Sequence, residues 1–202
     1  MNGDGGDFAD LLAAHAEGPA LQRLVRYAEL VERWSARHNL VQFSSREELV
    51  ERHILEALAA APLLGSMGRL LDVGSGAGLP GVPLLAVRPR WGGVLLEPRQ
   101  KRWAFLRTVV RELGLEANVA RSRYQDLDDC PPFDLITIRA VGDHEALLEW
   151  ARGRLTGAGE VVIWTTIDGE AALEAVTGWR VLSSRLPGLD CGRLARLQPC
   201  FT

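Results

Sequence analysis

"LLDVGSGAGLPGVPLL", Leu70 to Leu85, decides how this chain folds. An apolar run of strand character meets a loop with glycine at 74, 76, 78 and 81. An apolar run of helical character follows. A residue without Cβ lets the backbone turn sharply and approach a ligand closely. The helix behind the loop starts with free N–H groups that favour an anionic or polar partner. The stretch therefore predicts a nucleotide-holding strand–loop–helix unit.

Outward from it, the chain alternates. "RLLDVG" reads as a strand, with its helix through "PGVPLLAV". "GGVLLE" is a second strand ending at Glu97, followed by a helix over "KRWAFLRTVVREL" that Gly114 closes. "ANVARS" and "FDLITIR" read as strands three and four, "HEALLEWARGRL" as a helix and "GEVVIWT" as strand five. Such alternation predicts a parallel sheet with right-handed crossovers. The ending differs. After a helix near 168–177, "WRVLSSRL" and "GRLARLQPC" flank Pro187-Gly188-Leu189-Asp190, whose turn chemistry predicts an antiparallel hairpin.

Before the glycine loop the texture is helical. Leu21, Leu24, Ala28 and Val31 recur at i, i+3, i+7 and i+10 with charges between them. Ser45 is placed to cap a second helix, with Glu48 reaching back to it. Leu49, His53, Ile54 and Leu58 would share that helix's inner side. The expected organisation is a disordered tail over 1–7, a helical region over 8–66 and a nucleotide-binding domain over 67–202, packed as one unit.

Composition narrows the class. The chain has 202 residues, 47% of them hydrophobic, enough for one α/β domain with a sizeable core. No apolar run approaches the roughly 20 residues needed to span a bilayer, and "MNGDGGDFAD" lacks the basic start of a signal peptide. A cytoplasmic location without membrane association is expected. Cys130, Cys191 and Cys200 are odd in number and form no C-x-x-C pair, which argues against disulfides and against a metal site. A net charge of −3 does not announce a nucleic-acid binder, yet it conceals a cluster. Arg99, Lys101, Arg102, Arg107 and Arg111 lie within thirteen residues with no acid between them. They form either a phosphate-binding face or a solvated one, over a buried stripe of Trp103, Leu106, Val109, Val110 and Leu113.

The loop itself fits two ligands. Gly76 to Gly81 reads G-x-G-x-x-G, the dinucleotide fingerprint. Asp72 to Gly78 reads D-x-G-x-G-x-G, the pattern of Rossmann-like methyltransferases. Glu97 lies where an acid can accept both ribose hydroxyls of either ligand, or where a strand-end carboxylate is simply solvated. Asp72 and the terminal hairpin favour the methyltransferase pattern and its cofactor, S-adenosylmethionine. An NAD(P)-dependent oxidoreductase and an idle RNA-binding module that keeps the fold are the alternatives.

"LLDVGSGAGLPGVPLL", "KRWAFLRTVV", "SRYQDL", "FDLITIRAV" and the earlier "RHILEAL" occur in an order and at separations that resemble the RsmG (GidB) family of bacterial methyltransferases. The resemblance implies a class I methyltransferase fold, α/β with a terminal antiparallel hairpin and an amino-terminal helical addition. It implies S-adenosylmethionine as cofactor, and N7 of a guanosine in 16S ribosomal RNA of the small subunit as target. A monomer is expected. Carried over by position, the cofactor residues are Asp72, Gly74, Ser75, Gly76, Gly78, Leu79 and Glu97, with Tyr124 and Gln125 at the adenine. Arg139, Arg123 and Arg193 match arginines at the reacting groups, Arg139 touching the cofactor as well. Arg52, His53, Lys101, Arg102, Arg107 and Arg111 fall on positions implied to meet RNA. Two departures stand out: Thr165 and Thr166 replace a Lys-Gly pair after strand five, and Ile138 replaces a serine before Arg139.

Guanine N7 carries a lone pair and no proton, so its methylation requires alignment and no general base. The absence of a His–Asp or Cys–His pair is consistent with that chemistry. Arginine is the natural donor to the guanine edge.

Overall fold

The computed structural model describes residues 6–127, 130–139 and 144–200. The strand that feeds the glycine loop, β1 (Gly68–Val73), lies inside a seven-stranded sheet. It pairs in parallel with β2 (Trp91–Leu96) on one side and β4 (Phe133–Arg139) on the other, with Asp72 opposite both Leu95 and Thr137. With β3 (Ala117–Ala120), β5 (Leu155–Thr166), β6 (Trp179–Arg185) and β7 (Gly192–Pro199), the order is β3-β2-β1-β4-β5-β7-β6. β7 runs antiparallel between β5 and β6, as the hairpin turn chemistry predicts. The chain leaves β1 toward one edge and later crosses back to β4. That reversal opens a crevice beyond the carboxyl ends of β1 and β4, where open α/β sheets place ligands.

Strand alternation sorts the core into two layers. Leu70, Leu95, Leu135, Val162, Trp164 and Leu194 face a cluster shared with α1 (Phe8–Leu12), α2 (Gly18–His38), α5 (Gly81–Val87) and α6 (Gln100–Leu113). Leu71, Leu96, Ile136, Val161, Ile163 and Leu197 face the other way, toward α7 (His144–Arg152) and α8 (Ile167–Glu174). In α2, Leu24, Ala28 and Val31 are fully buried as their spacing predicts; Tyr27 joins them, and Leu21 is only half-buried. In α6, Phe105, Leu106, Val109 and Leu113 are buried, while Trp103 and Val110 are half-buried. Trp34 of α2 meets Phe105 of α6 edge-on at 5.3 Å, tying the helical addition to the sheet layer.

Local details add to or alter what the sequence predicts. Gly6 and Asp7, the last residues of the expected tail, make contacts with the helical region: the Gly6 amide donates to Glu47, and Asp7 accepts from the Ala9 amide. Residues 1–5 of the expected tail lie outside the described residues. Ser45 does cap α3 (Arg46–Leu49), accepting from the Glu48 amide at 3.2 Å. The Glu48 carboxylate, however, turns to Ser44, which offers it both an amide and a hydroxyl, two donors where Ser45 would offer one. A π-helical turn, Val50–Leu55, then separates α3 from α4 (Glu56–Leu58). Its wider turn puts Leu49 and Ile54 inside together, brings in Val50 and Ala57, and leaves His53 and Leu58 only half-buried.

Phe105 packs against both the sheet and α2, so Phe105→Ala is expected to cost about 3–5 kcal/mol in urea unfolding. A loss below about 1 kcal/mol would mean the two layers are not held through this ring.

Candidate functional site

Gly74, Gly76 and Gly78 all take positive φ, at 74°, 59° and 94°. The loop they form is pinned from three sides. The Ser75 amide donates to Leu96 O at 2.8 Å, the Ser75 hydroxyl to Asp72 O at 3.0 Å, and the Tyr27 hydroxyl to Ala77 O at 2.8 Å. A Cβ on Gly76 would meet nothing nearer than Arg102 and the Gly74 carbonyl, both at 3.7 Å, so its site is uncrowded and glycine is required there by the positive φ. Gly81 is the opposite case: a Cβ there would lie 2.7 Å from Asp72 Oδ2, so only glycine lets α5 start against that carboxylate.

Asp72 is completely buried. It accepts from the Thr137 hydroxyl at 2.8 Å and from the Gly81 amide at 3.2 Å. Burial pushes its carboxyl up to about 6, against the opposing pull of those hydrogen bonds and of Arg139. Glu97 is 3% exposed, which overturns the solvated-carboxylate alternative. Its two oxygens accept from the Gly76 amide at 3.0 Å and the Arg99 amide at 2.7 Å. Each keeps a lone pair for a further donor.

These groups line or underlie a cleft of about 410 Å³ bounded by Gly74 to Ala77, Leu79, Glu97, His53, Arg99, Arg102 and Arg139. That volume suits a nucleoside-sized ligand. Arg139, the last residue of β4, donates through Nη2 to Glu56 Oε2 at 3.1 Å, while its Nη1 is buried without a hydrogen-bond partner among the described residues. His53 meets the Gln42 carbonyl at 3.3 Å, and burial with Arg139 nearby lowers its pKa. Burial raises the Glu56 pKa, with Arg139 opposing.

The candidates named from sequence do not all converge. Asp72, Gly74, Ser75, Gly76, Gly78, Leu79, Glu97, His53 and Arg139 gather at the loop. The basic cluster divides. Arg99 and Arg102 reach the cleft, and Lys101 lines an adjoining groove with Trp34 and His38. Arg107 lies over the Trp103 ring at 4.8 Å, and Arg111 points outward beside Glu112. Arg52 borders a neighbouring cleft. Tyr124 packs edge-on against Trp150 at 5.1 Å, with Arg123 and Gln125 exposed beside it. Arg193 pairs with Thr165 on the strand face opposite Trp164, and its guanidinium is held by Glu170 at 3.1 Å. Thr166 caps α8, giving that departure a local structural role. Among the described residues no group of His, Cys, Asp or Glu is arranged to hold a metal ion, and no helix is long and apolar enough to cross a membrane.

Two residues at the site were not named as candidates from sequence. Tyr27 lies on the apolar stripe of α2 and reads as core, although its hydroxyl secures the loop. Glu56 lies in the quoted "RHILEAL" stretch and follows His53 by three residues, and that helical spacing beside a named candidate could have found it.

Two variants test this geometry. An acid whose folded pKa exceeds its unfolded value of about 4 takes up a proton on folding. The Asp72 contribution is therefore most favourable below about 4, falls as pH rises to about 6, and is level above. The urea midpoint of Asp72→Asn, relative to wild type, is expected to rise through that window; a constant difference from pH 4 to 7 would refute the buried charge. Gly76→Ala is expected to cost roughly 1–2 kcal/mol through its positive φ and to weaken ligand binding while the chain stays folded. Unchanged affinity would make Gly76 a turn residue only.

Comparison with known proteins agrees with this geometry. The chain is 35% identical over 178 residues to ribosomal RNA small subunit methyltransferase G of Laribacter hongkongensis, covering 84% of each chain. It is 34% identical over 187 residues to the protein of that name in Chromobacterium violaceum, covering 90% of each. Among solved structures it resembles precorrin-6y C5,15-methyltransferase from Geobacter metallireducens, with a TM-score of 0.61 at 15% identity, over 80% of this chain and 92% of that one. An rRNA methylase from Streptococcus thermophilus gives 0.57 at 16% identity, over 73% and 95%. These likenesses carry the class I methyltransferase fold. The model of the GidB family, rRNA small subunit methyltransferase G, matches residues 20–177, and the chain belongs to that family.

Proposed function

We propose that this chain methylates N7 of a guanine in 16S rRNA of the small ribosomal subunit, using S-adenosylmethionine. The observation that carries this reading is the junction at Arg139, which borders both the glycine-loop cleft and a second cleft and whose buried Nη1 has no hydrogen-bond partner among the described residues. The residues fit the cofactor: an uncrowded glycine at position 76 lining the cleft, a fixed acid at Glu97 with spare lone pairs, and a cleft of nucleoside size. The dinucleotide alternative accounts less well for a sheet that ends in an antiparallel pair, and an idle binding module leaves the loop and Arg139 without a task.

When bound, S-adenosylmethionine supplies a methyl on a cationic sulfur, and transfer forms the N7–carbon bond as the carbon–sulfur pair leaves with the sulfur. The protein then has three jobs. Glu97 accepts ribose hydroxyls, and it is held ready because the Gly76 and Arg99 amides fix both oxygens. The loop amides and Arg139 orient polar groups at the mouth. Tyr27, whose burial keeps it protonated, holds the loop still so that the reacting atoms stay in line. No residue needs to remove a proton. We assign the exposed basic residues of α6 to RNA phosphates.

Methyl transfer from labelled S-adenosylmethionine to purified small subunits is expected to yield 7-methylguanine at one position. Calorimetry is expected to show binding of S-adenosylhomocysteine and none of NAD; the reverse pair of results would overturn the reading. For the RNA face, Arg107→Ala with Arg111→Ala is expected to lower the slope of log affinity against log salt by about 0.7–0.9 per lost phosphate contact. S-adenosylhomocysteine affinity should hold, because neither side chain lines the cleft. An unaltered slope in the folded double variant would make that surface merely solvated.

A further inference from the structure

Beside the cofactor cleft lies a second one of about 570 Å³, and the two meet at Arg139. Its walls include Arg52, Glu56, Arg139, Trp164 and Leu189. Glu56 is rigidly set there. The Trp164 indole donates to its backbone carbonyl at 2.8 Å, and Arg139 Nη2 donates to its carboxylate at 3.1 Å. The Glu56 side chain is only 12% exposed, so its charge is directed into the cleft and not spread in solvent. Arg139 Nη1 remains a buried donor with no acceptor among the described residues. Buried donors are costly when unpaired, so an acceptor atom of a ligand belongs beside it.

The order of groups across the two clefts is loop, Arg139, Glu56. Arg139 borders both clefts, the loop borders the first and Glu56 the second. The edge of a guanine carries its groups in a matching order: N7 with a lone pair, O6 as acceptor, then N1–H and the 2-amino group as donors. Adenine reverses the middle of that series, with a donor where O6 stands and an acceptor at N1. It would oppose Arg139 with a donor and Glu56 with a lone pair.

We propose that the second cleft seats the target guanine and that Glu56 reads it, accepting from N1–H and the 2-amino group while Arg139 donates to O6. N7 is then turned toward the cofactor cleft. Trp164 and Leu189 offer apolar surface to the ring, and Arg52 at the rim meets the phosphate. The base must enter unpaired, because Glu56 takes the edge that pairing would use. This inference rests on the proposed guanine-N7 reaction.

The test uses small subunits reconstituted with 16S rRNA carrying guanosine or inosine at the mapped position. Inosine lacks only the 2-amino group. Wild-type kcat/KM is expected to fall roughly 10- to 100-fold with inosine, the scale of one hydrogen bond to a charged group. In Glu56→Ala the guanosine-to-inosine ratio is expected to collapse to about one, and in Glu56→Gln to an intermediate value. A general loss of structure would lower both rates and leave their ratio alone. Binding of S-adenosylhomocysteine reports whether each variant is folded, and the wild-type comparison stands even if neither is. A wild-type ratio near one would overturn the proposal, as would a variant that methylates and keeps the full wild-type ratio. If wild type forms no 7-methylguanine on the guanosine subunit, the reaction itself has been misassigned and Glu56 loses this role with it.

Discussion

Asp72 carries its carboxylate into the layer between β1, β4 and α5, where it takes one hydrogen bond from the Thr137 hydroxyl and one from the Gly81 amide. Those two bonds fix the end of β4 and the start of α5 relative to β1. The crevice at the strand reversal, the loop that borders it and the reach of Arg139 all follow from that fixation. A buried carboxylate is an expensive tie, since desolvation pushes its pKa upward. An apolar residue of similar size would hold the layers by packing alone. It would leave the Gly81 amide unpaired and α5 free to shift against β1, and the loop would lose its shape.

Strand parity explains why the site assembles on one side of the sheet. Asp72, Glu97, Thr137 and Arg139 share the parity of Leu70, Leu95 and Leu135, so they point toward the layer formed by α2, α5 and α6. The helical addition is therefore part of the site. It supplies the Tyr27 hydroxyl beneath the loop, the His53 wall and the Glu56 partner of Arg139. The same parity takes Arg193 to the opposite face, where Glu170 receives it.

How much was legible depended on what kind of signal each feature leaves. The alternation of apolar runs and turn residues gives β1 to β7 within a few residues, because period-two and helical patterns answer directly to burial. The loop was legible because positive φ angles and close approach demand glycine. Whether Glu97 was solvated was not, since its burial is set by the fold of the Arg99 turn and not by its neighbours in sequence. The π-helical turn left no mark either: Leu49 to Ile54 fits an ordinary amphipathic helix until the extra residue per turn is seen. The basic run in α6 looks uniform in sequence, yet α-helical geometry sends Arg99 and Arg102 to the cleft and Arg107 and Arg111 down the outer surface. Glu56 lies in the quoted "RHILEAL" stretch, but its role was not legible there, because its meaning comes from Arg139, 83 residues away.

The Glu56–Arg139 pair also bears on why the site is built with charges. A partly buried ion pair contributes little net stability, because desolvation offsets most of the attraction. This one is less than satisfied, with one guanidinium nitrogen left without a partner among the described residues. A pair retained for the fold would close its hydrogen bonds, as Arg196 does by giving both Nε and Nη2 to Glu160. An open pair at the meeting of two clefts has the form of a binding surface awaiting an acceptor and donors. Under the proposed assignment a guanine fills what the pair leaves open: its O6 accepts from Arg139 Nη1, and its donors meet the lone pairs that Glu56 keeps.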